Sequence, residues 1–160
     1  MNFADPTRSA RTPFRLEREQ RISRPLEEVF AFFAEPQNLE VITPPWMKFH
    51  LAKCSTETIG EGTVLEYALR VRGLPMKWVS LIREWDPPHQ FVDEQLHGPY
   101  RRWLHRHTFR QEGSETVIGD EVDYAVPGGA LIERLLVRGE LERIFGYRQT
   151  SLQQAMDAQA

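Results

Sequence analysis

The sequence predicts an α+β domain in which an antiparallel sheet of about seven strands packs on one long C-terminal helix. Three observations predict it. Apolar and polar residues alternate with a period of two through residues 14–22 and again through much of 64–124. Gly- and Pro-rich turn signals divide the second stretch at short intervals. After Pro127-Gly128-Gly129 the apolar period becomes helical, roughly from Leu131 to Ala155.

Residues 1–12 show no periodic apolar pattern and are expected to form a flexible arm ahead of one domain over 13–157. Phe14, Leu16, Arg18, Gln20 and Ile22 alternate with charged residues, which suggests a strand with one wet face. Ser23-Arg24-Pro25 then starts a helix: Pro suits its first turn, Glu27 and Glu28 complement the dipole, and Leu26, Val29, Phe30 and Phe33 make one stripe. Pro36 closes that helix or opens a second short one through Ile42, and Pro44-Pro45 holds Trp46 on a stiff connection. Strands follow around Phe49–Ala52, Leu65–Val71, Met76–Trp85, Phe91–His97, Arg101–Gln111 and Thr116–Tyr124. In the final helix Val137, Leu141, Ile144, Phe145, Leu152 and Met156 share a face, with Glu140, Glu142, Arg143 and Gln149 largely opposite. Gly139 and Gly146, seven apart, suggest close approach to the sheet or a ligand. This order is also that of the helix-grip fold, a curved sheet that wraps its last helix around a cavity.

Composition narrows the function. The chain has 160 residues, 41% hydrophobic and 27% charged, with nine Phe, four Trp and four Tyr, a generous supply of large side chains for one core. A net charge of −3 argues against nucleic acid as a partner. One cysteine, Cys54, excludes an internal disulfide, and no leader or bilayer-length apolar run is evident. A cytoplasmic protein without membrane insertion, monomeric or homodimeric, is expected.

Hairpin geometry says which side chains meet. A two-residue turn at Gly113-Ser114 sets Phe109 opposite Ile118, His107 opposite Asp120, His105 opposite Val122 and Trp103 opposite Tyr124. A three-residue turn over 98–100 sets His105 opposite Asp93, Trp103 opposite Gln95 and His107 opposite Phe91. A turn at Gly73-Leu74 sets Leu69 opposite Trp78, Tyr67 opposite Ser80 and Leu65 opposite Ile82. One face then carries Tyr67, Trp78, Phe91, Trp103, Phe109 and Tyr124 around Asp93, Gln95, His105, His107 and Asp120. The other carries Glu94, Arg102, Arg106, Thr108 and Arg110, although Val92, Leu96 and Leu104 share it and would suit the inverted assignment.

Buried polar groups without partners are costly, so the inward Asp and His residues need a reason. Three readings are open: a self-satisfied network, the polar end of an aromatic ligand cavity, or chemistry with Asp-oriented His as acid/base or a His–Asp metal site. His105 and His107, about 6.5–7 Å apart along a strand, could converge on one ion. That spacing alone assigns no metal, and no cofactor is expected. His50, His89 and His97 look like surface or turn residues. No phosphate loop, nucleophile elbow, CxxC or HExxH pattern is present.

Several segments also resemble a known superfamily. Ile22-Ser23-Arg24-Pro25-Leu26-Glu27-Glu28-Val29-Phe30, the Glu84-Trp85-Asp86-Pro87-Pro88 turn and the long final helix resemble START-like, or SRPBCC, proteins, which include lipid-transfer domains, plant ligand carriers and polyketide cyclases/dehydratases. Thr43-Pro44-Pro45-Trp46, Phe91-Val92-Asp93-Glu94-Gln95-Leu96 with Gly98-Pro99-Tyr100, and Trp103-Leu104-His105-Arg106-His107-Thr108-Phe109 resemble a bacterial cyclase-like or ligand-binding subgroup. The resemblance covers about residues 13–157 and implies a helix-grip fold with a hydrophobic pocket, but no single reaction. The leading expectation is a binder of a small hydrophobic or amphipathic molecule. Tyr67, Trp78, Phe91, Trp103, Tyr124 and Phe145 would supply contact area, Asp93, Gln95, His105, His107 and Asp120 would hold a polar group, and Trp46 would stand at the cavity mouth. The alternatives are an enzyme using His105 or His107, supported by Asp93 or Asp120, and a protein-interaction module.

Overall fold

The computed structural model describes residues 14–159, and the arm expected over 1–12 lies outside the described residues. Seven antiparallel strands form one sheet: β1 (Phe14–Ile22), β2 (His50–Cys54), β3 (Val64–Val71), β4 (Leu74–Asp86), β5 (Gln90–His97), β6 (Arg102–Glu112) and β7 (Glu115–Ala125). Their spatial order is β1-β7-β6-β5-β4-β3-β2, a meander whose last strand returns to pair with the first. Between β1 and β2 lie α1 (Leu26–Ala34), α2 (Asn38–Ile42) and a single 3₁₀ turn over Pro45–Met47. Helical residues then run from Gly129 to Ala158: α3 (Gly129–Ile132), a π-helical turn (Glu133–Val137) and α4 (Arg138–Ala158). The curved sheet gripping a long C-terminal helix is the helix-grip architecture.

The alternation in β1 appears directly, since Ile22 and its even-numbered neighbours are more buried than the charged residues between them. In α1 Leu26, Val29, Phe30 and Phe32 are buried, and Phe33, half-buried, packs on Phe91 and Phe109 of the sheet, so the expected stripe holds and Phe32 joins the core beside it. The β6–β7 and β5–β6 registers are those the turn lengths predict. The β3–β4 register differs by two residues: Tyr67 faces Trp78, Leu65 faces Ser80 and Leu69 faces Met76. The turn there is Arg72-Gly73, both with positive φ (51° and 80°), the mirror-image two-residue turn that matches strand twist. A slip of two keeps every side chain on its expected face.

The convex face is laced with exposed ion pairs, among them Arg15–Asp123 at 2.7 Å, Arg21–Glu112 at 2.8 Å and Arg83–Glu94 at 3.0 Å. Val92 is buried on that face, and its ladder neighbours are Glu84 and Arg106, whose aliphatic stems can cover it. The inverted assignment is therefore unnecessary.

On the concave side the core falls into three clusters. One joins α1 to Phe91, Phe109, Ile118, Leu152 and Met156; a second joins Trp103, Val122 and Tyr124 to Leu141 and Phe145; a third groups Ile59, Leu65, Tyr67, Leu69 and Ile82. Gly139 and Gly146 do not mark a close approach, because an added Cβ would meet nothing within 4 Å at either position among the described residues.

Candidate functional site

Between the three clusters lies a cavity of about 190 Å³. A single water needs roughly 10–15 Å³ on the same measure, so there is room for an organic molecule. The wall is mostly aromatic and aliphatic. Trp78 and Trp103 meet edge-to-face with centroids 5.3 Å apart, Tyr100 lies 4.6 Å from Trp103, and the Trp78 indole N–H donates to Ser80 Oγ at 2.9 Å. Helix α4 supplies Glu140, Leu141, Ile144, Phe145 and Arg148.

The polar end is built by three adjacent strands. Register sets Asp93 of β5 opposite His105 of β6, and His107 of β6 opposite Asp120 of β7. The hydrogen bonds, however, run diagonally. His105 Nε2 lies 2.7 Å from Asp120 Oδ1, and His107 Nε2 lies 2.8 Å from Asp93 Oδ2. The two imidazoles stack with centroids 3.6 Å apart, and Phe91 stacks on His107 at 4.0 Å. Each carboxylate thus faces the Nε2 of one ring and the Nδ1 of the other: His107 Nδ1 is 3.4 Å from Asp120 Oδ1, and His105 Nδ1 is 3.9 Å from Asp93 Oδ2. The histidines are only 3% and 4% exposed.

Burial opposes ionisation of Asp93, but the His107 hydrogen bond and the neighbouring histidines outweigh it and hold the carboxyl below its usual range. Asp120 behaves likewise through its bond to His105. His107 is pushed down to about 4 by burial and by the adjacent His105, against the pull of Asp93 and Asp120. At neutral pH the site therefore holds two carboxylates and a neutral His107. Its Nδ1 is buried and makes no hydrogen bond among the described residues.

Of the residues singled out from sequence, Tyr67, Trp78, Phe91, Asp93, Trp103, His105, His107 and Phe145 line the cavity. Four lie outside its lining. The Gln95 amide is tied to the loop, donating to the Tyr100 carbonyl at 2.8 Å and accepting from its N–H at 3.2 Å. Asp120 bonds His105 without reaching the cavity. The Tyr124 hydroxyl donates to buried Glu133 at 2.8 Å. Trp46 packs edge-on to Tyr147 with the Arg143 guanidinium 4.0 Å from its ring centroid, while its neighbours Thr43 and Met47 line the cavity instead.

Sequence reasoning missed Trp85, which lines the cavity and packs 5.2 Å from Phe30. A bulge between Ile82 and Glu84 inserts a residue, so Trp85 faces Phe91 where strict alternation would not put it. Arg148 and Glu140 were also missed, since charged residues are ordinarily assigned to the wet face of a helix. The spacing Leu141, Phe145, Arg148 was the available signal for Arg148.

Comparison with known proteins bears on the family and the fold. A family model described as polyketide cyclase / dehydrase and lipid transport matches residues 22–146. No curated protein matches the sequence. Similar solved structures include the Zhui aromatase/cyclase from Streptomyces (16% identity, 90% of this chain and 93% of that one, TM-score 0.71). Others are Ara h 8.0201 (12% identity, 91% and 98%, TM-score 0.72) and the major latex-like protein 151 of Panax ginseng (13% identity, 89% and 97%, TM-score 0.68). At these identities the likeness is one of fold. Among the described residues no helix is long and apolar enough to cross a membrane.

Proposed function

The chain belongs to the polyketide cyclase / dehydrase and lipid transport family, within the START-like superfamily, and from that premise we propose that it binds a small hydrophobic or amphipathic molecule between its sheet and α4. One observation carries the reading: an aromatic-walled cavity that ends in a compact Asp93–His105–His107 cluster. Apolar pockets with a few convergent polar groups are how proteins hold such ligands, with area giving affinity and the polar end giving orientation. Trp78 and Trp103 are the anchoring surfaces, and the polar end orients a hydroxyl, carbonyl or carboxyl oxygen. Binding is tested by titrating planar phenols, aromatic polyketide mimics and fatty acids while following Trp fluorescence, alongside native mass spectrometry of freshly purified protein. Saturable quenching, or a co-purified small molecule, is expected. A flat response across the panel with no co-purified species overturns the reading.

A second reading, cyclase- or dehydrase-like catalysis, is favoured by one feature. His105 and His107 each have a carboxylate partner and each borders the cavity, the arrangement of an oriented general base. It predicts turnover of a linear poly-β-ketone mimic that disappears in a folded His107→Gln variant.

A further inference from the structure

We infer that the molecule held between the sheet and α4 carries an ionised carboxylate, received by the guanidinium of Arg148 and the hydroxyl of Tyr67. The inference rests on the binding function proposed above and names the head group that the cavity selects.

Arg148 follows Phe145 by three residues on α4, which turns it to the face that bears Leu141, Ile144 and Phe145, and it lines the cavity. Its guanidinium carbon stands 5.3 Å from the Phe145 ring centroid, and that ring is 5.6 Å from the ring of His105. The charge is therefore set beside the polar end of the cavity. Arginines elsewhere on the molecule are paired: Arg15, Arg21, Arg83 and Arg138 each bridge a carboxylate. Arg148, although half-buried, makes no hydrogen bond or ion pair among the described residues. Five N–H donors and a full positive charge are left without a direct partner, at a cost that a bound anion would remove.

Tyr67 of β3 is a second idle donor. It lines the same cavity and is 6% exposed, and its hydroxyl makes no hydrogen bond among the described residues. Burial and the charge of Asp93 push its pKa up, so the oxygen keeps its proton; Arg148 pulls the other way, as it does on Asp93. Buried donors are ordinarily partnered. The donors of Asn38, Thr43 and Trp78 on the same wall are engaged, with the Phe32 carbonyl, the Leu39 carbonyl and Ser80 Oγ. Arg70, exposed at the edge of the cavity, donates to the Gly73 carbonyl at 3.3 Å. Arg148 and Tyr67 thus lack an acceptor.

A carboxylate brings two acceptor oxygens and one negative charge, which match the fork of a guanidinium. The acids already on the wall do not fill that role. Asp93 is held by His107, Glu140 stands two turns earlier on α4, about 12 Å along its axis, and Glu35 is exposed. The charge on Asp93 also repels a second carboxylate from the histidine cluster and keeps it on the Arg148–Tyr67 side. The head group then has one seat, and the apolar body lies against Trp78 and Trp103.

The test is calorimetric titration of the full chain with naphthoic acid, its methyl ester and naphthylmethylamine, and with cinnamic acid and methyl cinnamate. Wild type is expected to bind each acid about 10-fold or more tighter than its ester, as a hydrogen bond to a charged group is worth, and the amine most weakly. Arg148→Gln is expected to bring acid and ester level by weakening the acid alone, and Arg148→Lys to restore part of the difference. Tyr67→Phe is expected to weaken the acid by about 3–10-fold. Circular dichroism checks the fold of each variant, and should one misfold, acid against ester on the wild-type chain decides. An ester that binds as tightly as its acid, an amine that binds more tightly, or a preference that survives in folded Arg148→Gln overturns the inference and leaves the binding function standing. No binding by any member of either series removes both.

Discussion

His107 owes its protonation state to its surroundings. Asp93 and Phe91 face it from β5, Asp120 from β7, His105 from its own strand and Phe33 from α1, and the cationic Arg148 of α4 acts on both carboxylates. Burial and His105 lower its pKa from 6.5 to about 4. The unfolded chain therefore takes up a proton near pH 6.5 that the folded chain accepts only near 4, and stability falls as pH drops through that window. Asp93 and Asp120, whose carboxyls are held below their usual range, act in the same direction: their contribution is present above the unfolded carboxylate range and is lost as pH falls further. We expect the urea midpoint to be level above pH 7 and to decline steadily from pH 6.5 toward 4. A His107→Gln variant should flatten the upper part of that decline, and an unchanged slope would show that another group is titrating.

At the scale of elements, the C-terminal helical segment carries two testable features. Gly139 and Gly146 cost α4 about 1 kcal/mol each relative to Ala, and neither is required by a close neighbour. Gly139→Ala and Gly146→Ala should each raise Tm by roughly 2–4 °C, additively, when measured by calorimetry. The π turn instead supports a buried contact. Glu133, 1% exposed, accepts from the Tyr124 hydroxyl at 2.8 Å and from the Arg138 guanidinium at 2.9 and 3.0 Å. Glu133→Ala leaves the Tyr124 hydroxyl without that partner and should cost about 1–3 kcal/mol in chemical denaturation, with little effect on cavity binding. The strands teach a related lesson. Turn length was enough to set the β5–β6 and β6–β7 registers, but in β3–β4 the choice between Gly73-Leu74 and Arg72-Gly73 depended on which residue could accept positive φ. The bulge that turns Trp85 inward has no comparable local signal.

Considered as a whole molecule, the helix crosses the sheet without filling the space between them, so the core is three clusters around a gap. Filling that gap should block binding without dismantling the clusters. Ile144→Trp, on the cavity side of α4, is expected to raise Kd for any phenol that quenches wild-type Trp fluorescence by tenfold or more, with circular dichroism unchanged. A ligand present at a hundred times its Kd should conversely raise wild-type stability by about 2.7 kcal/mol, read as a shift in Tm.

The amino-acid sequence by itself determined the α+β order of elements, the concave face bearing Tyr67, Trp78, Phe91 and Trp103, and the pairing of His105 and His107 with Asp93 and Asp120 as strand neighbours. Those properties follow from a period of two and from turn length, which are local. Tertiary structure decided the rest. It set which nitrogen faces which carboxylate, tied Gln95 and Tyr124 to other partners, brought Trp85 and Arg148 to the cavity wall, and left Asp120 behind the histidines. These outcomes depend on side-chain directions where three strands and α4 converge, and on one inserted residue in β4, so no stretch of sequence encodes them alone.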